Sequence, residues 1–237
     1  MTRKILYADF KAFFEENVSR RSRTSKGVSD TSSSRVKQKL LKEGSDLEEQ
    51  VKKNTARLID SVWEHRKPDP ITPKRIRFLD EWWNDIVNFG LMPIGAYDKE
   101  YKDIEKEAEH NGIEYKMNRR YRVWTPGYTA FKLAPREIES SMNSFYQSLH
   151  ENIERARSGV LCQAGLLAYA DFIVDSAIHP WRDGCGRSAT ALVMWLSLLV
   201  PGSKLPLFGT RETHHKAIKD LSSHVVYFSS CLAHEFK

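Results

Sequence analysis

Long hydrophobic runs are missing from this chain. No apolar stretch reaches the ~18 residues that a membrane-spanning helix needs. The longest, Ala189 to Val200, is interrupted by Thr190 and Ser197 and closed by Pro201-Gly202, which reads as a core helix. The opening residues, MTRKILYADFKAFFEENV, lack an apolar signal core and a small-residue cleavage site. A cytoplasmic location is therefore expected, and delivery by a specialised secretion system is compatible with it. Cysteine is scarce. Cys162, Cys185 and Cys231 are odd in number and unrelated in spacing, so free thiols in a reducing compartment are expected rather than a disulfide framework. Charge of one sign is also limited. Lys and Arg number 37 against 31 Asp and Glu, a net charge of +6. Much of the excess sits in SRRSRTSKG and MNRRYR. No zinc-finger spacing, RNA-binding aromatic signature or recognition-helix pattern accompanies it. A solvated basic surface is the expected reading, and a nucleic-acid partner is not.

What remains is an ordinary globular composition, 237 residues with 41% hydrophobic and 29% charged. The chain divides into an N-terminal helical region, 1–115, carrying a Ser-rich linker at about 18–35, and a core, 116–237. Apolar residues at helical spacing predict a mainly α fold. Helices are expected at Lys4 to Asn17, Asp46 to Arg66, from Pro73 (capped by Thr72) to Gly90, Tyr97 to His110, from Pro135 onward, Gln163 to Ser176, Ala189 to Val200 and Arg211 to Leu232. The stretch YRVWTPGYTAFKLAP, Tyr121 to Pro135, has β-branched and aromatic residues on both sides of Pro126-Gly127 and reads as one small β-hairpin. Trp83 falls on the buried stripe of its helix with Ile76, Leu79, Ile86 and Val87, and Trp82 and Trp83 both read as core rather than as a ligand platform.

The chemistry is concentrated in HPWRDGCGRSAT, His179 to Thr190. A glycine-rich turn opens a helix there. The first amides of a helix have no intrahelical acceptors and carry its positive dipole end. Glycines let such amides converge into an anion nest. Gly184, Cys185, Gly186 and Arg187 would supply the amides, and Arg187 adds a guanidinium suited to phosphate oxygens. A carboxylate at the lip of a phosphate site makes sense as a Mg²⁺ ligand, which assigns that role to Asp183. His179 lies in reach as a general base.

These residues resemble the signature of the Fic family, His-Pro-Phe-x-(Asp/Glu)-Gly-Asn-Gly-Arg-x-x-Arg. FKLAPREIESSMNSFYQSL and LLAYADFIVDSAIHPW resemble the segments that precede it in that family, so the likeness covers roughly Arg120 to Phe228. It implies a helical Fic-type fold and transfer of AMP from ATP to a Ser, Thr or Tyr hydroxyl of a target protein. His179 would deprotonate the hydroxyl, Asp183 would hold Mg²⁺, and Gly184, Cys185, Gly186 and Arg187 would bind the phosphates. The hairpin would be the family's flap, holding the target as an extended segment along about Thr125 to Phe131.

Two positions depart from the pattern. Cys185 replaces the usual Asn and Thr190 replaces the second Arg. The family's inhibitory element, (Ser/Thr)-x-x-x-Glu-(Gly/Asn), is also absent: Glu43-Gly44 follows Lys39 and Glu16-Asn17 follows Ala12 at the relevant spacing. Three further readings stay open. One is transfer of another phosphate-containing group such as UMP, phosphocholine or phosphate. Another is a nucleotide-binding or protein-interaction module with weak catalysis. The last is a Cys-His hydrolase built on Cys185 and His179.

Overall fold

The structure is a computed structural model that describes residues 5–21, 46–67, 70–92, 97–125 and 133–233. Among these the chain is mainly helical, with nine α-helices and no strand. They are α1 (Tyr7–Arg21), α2 (Leu47–Glu64), α3 (Pro73–Asn88), α4 (Asp98–His110), α5 (Ile138–Arg157), α6 (Gln163–Phe172), α7 (Cys185–Leu199), α8 (Arg211–Ala217) and α9 (Leu221–Ala233).

Local chemistry sets the ends of these helices. Asp46 caps α2 by accepting from the Glu49 amide at 2.9 Å. Thr72 accepts from the Arg75 amide at 3.1 Å, with Pro73 at the first helical position of α3. Past α3 the chain turns through Gly90 at φ 69°, the left-handed conformation that glycine adopts without steric cost.

The apolar helix α7 lies at the centre. Side chains from Ser188 to Ser197 are buried on every side, and α1, α2, α3, α5 and α6 all pack against it. A helix that is hydrophobic all round must be enclosed in this way. On the far side of α6 lies α9. One continuous core takes in Phe10 and Phe14 of α1, Trp83 of α3, Met142 of α5, Trp195 of α7 and Phe228 of α9. Two of its buried indole N–H groups are satisfied: Trp83 donates to Ser61 Oγ at 3.0 Å and Trp195 to the His65 carbonyl at 2.8 Å. No helix among the described residues is long and apolar enough to cross a membrane.

Several expectations need correction. The first helix runs to Arg21, so residues 18–21 belong to α1 rather than to the Ser-rich linker; residues 22–35 lie outside the described residues. The extension follows from what the two arginines hold. Arg20 donates to the Phe208 carbonyl at 2.9 Å, and Arg21 is inserted beside α7. The predicted helix Arg211 to Leu232 is two helices. Asp220 breaks it by capping α9, accepting from the Ser223 amide at 2.8 Å and its hydroxyl at 2.7 Å. The predicted helix Gln163 to Ser176 gives way after Phe172 to a wider π turn, Ile173–Ala177. Of the expected hairpin, residues 126–132 lie outside the described residues. Its first arm pairs elsewhere: Tyr121 forms an antiparallel bridge with Trp181.

Candidate functional site

The site is the junction between α6 and α7. The π turn leads into it, closed by the Ile178 amide donating to the Ile173 carbonyl at 2.9 Å. Such one-residue expansions re-aim the chain at a helix end. His179 follows with φ 50°, the one non-glycine residue described with a positive φ. A side chain in that region costs about 1–2 kcal/mol, so the surroundings must hold it there. The holding is visible. The Arg122 amide donates to the Pro180 carbonyl at 2.8 Å and the Arg182 amide to the Arg120 carbonyl at 3.0 Å, on either side of the Tyr121–Trp181 bridge. The Arg122 guanidinium binds the carbonyls of Ile178 and His179 at 3.1 and 2.8 Å.

The imidazole is oriented by its own turn. Nδ1 of His179 lies 3.0 Å from the Asp175 carbonyl oxygen. A carbonyl only accepts, so Nδ1 carries the proton and the lone pair is on Nε2. That is the tautomer a general base uses.

Four residues on, the turn closes over α3. Gly184 has φ 78°, and a Cβ there would stand 2.4 Å from Val87 Cγ1. Both the conformation and the close approach demand glycine. Asn84 and Asn88 of α3 clamp the turn by donating to the Asp183 carbonyl at 3.1 and 3.2 Å, and Asn84 also donates to Ser188 Oγ at 3.0 Å. The Ser188 amide bonds the Gly184 carbonyl at 2.9 Å, which leaves the amides of Cys185, Gly186 and Arg187 as the first turn of α7. Arg187 anchors one arm on the Val87 carbonyl at 3.3 Å, and its Nη2 is 4.0 Å from Asp183 Oδ2. Burial lowers the Arg187 pKa and Asp183 opposes that shift. His179, Asp183, Gly184, Gly186 and Arg187 are all partly exposed.

Cys185 differs from the rest. Its amide is in the nest, but its thiol is buried and donates backward to the Trp181 carbonyl at 3.6 Å. Burial pushes the thiol pKa well up, with Asp175 and Asp183 adding to the shift. A thiol held neutral and enclosed is no nucleophile, which removes the Cys-His hydrolase reading. Thr190 is fully buried one turn further along and donates to the Gly186 carbonyl at 2.8 Å.

Two groups escaped the reading of the sequence. Asp175 Oδ1 lies 3.6 Å from where a Cβ on Gly186 would stand, so a second carboxylate borders the nest. Like Asp183, Asp175 offers hard carboxylate oxygens. The other group is Arg21 of α1. Its Nη1 donates to the Gly186 carbonyl at 3.1 Å and to Thr190 Oγ1 at 3.2 Å. Its Nη2 binds the Asp171 carboxylate, which also accepts from Nε2 of His214 at 2.8 Å and of His224 at 2.7 Å. Burial alone would raise the Asp171 pKa; Arg21 and the two histidines outweigh it and hold the pKa well below the carboxylate range. Asp171, His214 and His224 are close enough together to share a metal ion. Arg21 Nη2 stands among them, 2.7 Å from His214 Nε2, and already supplies the positive charge. The cluster is a closed ionic knot behind the nest. Its signal in the sequence is a lone Asp in the apolar run LLAYADFIV.

Comparison of the chain with protein-family models, with curated proteins and with solved structures gave no match. The functional reading therefore stands on the residues of the junction and their geometry.

Proposed function

We propose that the chain is a Fic-type transferase that moves AMP from ATP to a Ser, Thr or Tyr hydroxyl of a target protein. One observation carries the reading: an imidazole fixed as the Nδ1–H tautomer stands within a few residues of a helix N-terminus opened by a left-handed glycine. A base and an anion nest on one turn suit attack of a hydroxyl on a phosphorus atom.

In this reading Nε2 of His179 takes the proton of the target hydroxyl as its oxygen attacks the α-phosphorus. The bond from that phosphorus to the bridging oxygen breaks, and pyrophosphate leaves. The amides of Cys185, Gly186 and Arg187 receive the negative charge on the phosphate oxygens, and the Arg187 guanidinium binds alongside them. Asp183, with Asp175 near, would hold Mg²⁺, which when bound neutralises phosphate charge. Cys185 contributes through its backbone alone. The target offers an extended segment along Thr125 to Phe131, of which only Thr125 is among the described residues.

A second donor is favoured by a specific observation. At the position of the motif's second arginine, the Thr190 hydroxyl is spent on the Gly186 carbonyl, and the nearest guanidinium, that of Arg21, is tied to Asp171. A donor that places less phosphate charge at this end of the nest, such as a diphosphate-linked phosphocholine carrier, fits this arrangement.

The deciding experiment is a transfer assay in cell lysate with α-labelled ATP and Mg²⁺, run beside His179→Ala. A labelled protein band that vanishes in the variant supports AMP transfer. Absence of any band, with nucleotide still bound, moves the reading to other donors.

A further inference from the structure

Arg122 is fully buried, and its guanidinium is spent on backbone carbonyls from two parts of the chain. Nε donates to His179 O at 2.8 Å; Nη2 donates to Ile178 O at 3.1 Å and to Leu133 O at 3.0 Å; Nη1 donates to Trp124 O. A planar fork serving four acceptors is something only arginine can do; a lysine ammonium has three donors on one atom. Two of the four acceptors belong to the strained peptide pair that aims the imidazole. The other two, Trp124 and Leu133, fix the fork itself.

We propose that Arg122 is the positioning residue of His179: it holds the left-handed peptide at 179 and so sets where the Nε2 lone pair points. The proposal rests on the reading of His179 as the base, and it adds a division of labour. The nest is clamped from α3 by Asn84, Asn88 and the Val87 carbonyl, through bonds to Asp183 and Arg187. The base and the anion site of one short turn are thus held by different residues, Arg122 at the 178–179 end and α3 at the 183–187 end. Loosening Arg122 should misplace the base and leave donor binding intact. A residue that merely stabilised the fold would weaken both together or neither.

The test is Arg122→Lys, which keeps the charge and loses the fork. In the transfer assay kcat should fall about 100-fold, the scale of a misplacement of ~1 Å, while KM for ATP stays within about threefold. By ¹⁵N NMR, the wild-type His179 ring should be the Nδ1–H tautomer, and the variant should show a mixture of tautomers. A variant with a lowered melting temperature but an unchanged His179 tautomer would overturn the proposal, as would equal changes in kcat and KM. If the wild type transfers nothing from ATP, the proposed function fails, and the NMR comparison still decides the role of Arg122. If Arg122→Lys does not fold, the wild-type protein decides. The Arg122 Nε–H should exchange with solvent at least 100-fold more slowly than that of an exposed arginine and show a through-bond coupling to the His179 carbonyl carbon. Fast exchange or no coupling would mean the clasp is not formed.

Discussion

Val87 Cγ1 occupies the space into which a side chain at position 184 would project, 2.4 Å from the ideal Cβ. The contact ties α3 to the turn that opens α7, and it makes two separate demands on Gly184, one conformational and one of volume. Gly184→Ala should destabilise the protein by about 2–4 kcal/mol, from a left-handed alanine and an overpacked contact. At roughly 2–4 °C per kcal/mol for a chain of this size, thermal unfolding will read it easily. Adding Val87→Ala should return only the volume part. Full recovery in the double variant would show that the backbone conformation is unstrained.

His179→Gly should abolish transfer, with a loss of about 100- to 10,000-fold in rate, yet melt within a few degrees of the wild type. Glycine relieves a left-handed strain of about 1–2 kcal/mol while the lost Nδ1 hydrogen bond takes away about 1 kcal/mol. Activity and melting temperature measured on the same preparation check the pair.

Arg21→Met should destabilise strongly, by about 3–5 kcal/mol, because it leaves the buried Asp171 carboxylate without its cation. The double change Arg21→Met with Asp171→Leu should cost less than the single change. The folded pKa of Asp171 lies below its unfolded value. Its contribution is therefore fully present above about pH 4 and lost as pH falls below that through the folded pKa. Urea unfolding of the wild type and the double variant between pH 3 and 6 checks the sign.

Asp80 works in the opposite direction. It is fully buried against Tyr146, and burial pushes its pKa up to about 7. The folded state binds the proton more tightly than the unfolded state, so stability falls as pH rises from about 4 to 7. Asp80→Asn should remove that slope. It should match the wild type near pH 4 and exceed it at pH 8.

Of the three thiols, only Cys162 is exposed; Cys185 and Cys231 are buried. Burial raises the pKa of both buried thiols. A thiol-reactive dye should label one cysteine rapidly in the native protein and all three after denaturation. Rapid native labelling of Cys185 would reopen its candidacy as a nucleophile.

The helical architecture was legible because it rests on local rules. Thr72-Pro73 announces a helix start, and the spacing of Ile76, Leu79 and Trp83 announces its buried face. The turn at Gly184 was legible for the same reason, since glycines before an apolar helix have few structural meanings. What the residues could not announce were relationships across the chain. Nothing around Arg21 tells that its partners are Asp171 and His214, 150 and 193 residues away. The period of Gln163 to Ser176 is helical, and a one-residue π expansion leaves the pattern of apolar positions nearly unchanged. Arg122 sits in a stretch whose β-branched and aromatic neighbours suggest pairing within the stretch, whereas its amide is taken by Pro180 and its side chain bonds Ile178 and His179 as well as Trp124 and Leu133.

The order of synthesis gives the anchoring of α1 a cost of its own. The partners of this helix are synthesised long after it: Asn17 holds the amide of Phe208 and the carbonyl of Pro206, and Arg20 the carbonyl of Phe208. Until some 190 further residues have emerged, the aromatic face of Phe10, Phe13 and Phe14 has no completed seat. Through that interval the nascent chain carries an exposed apolar segment, the kind of surface that chaperones cover. The last buckle to close on α1 is fastened by residues that follow the glycine-rich turn.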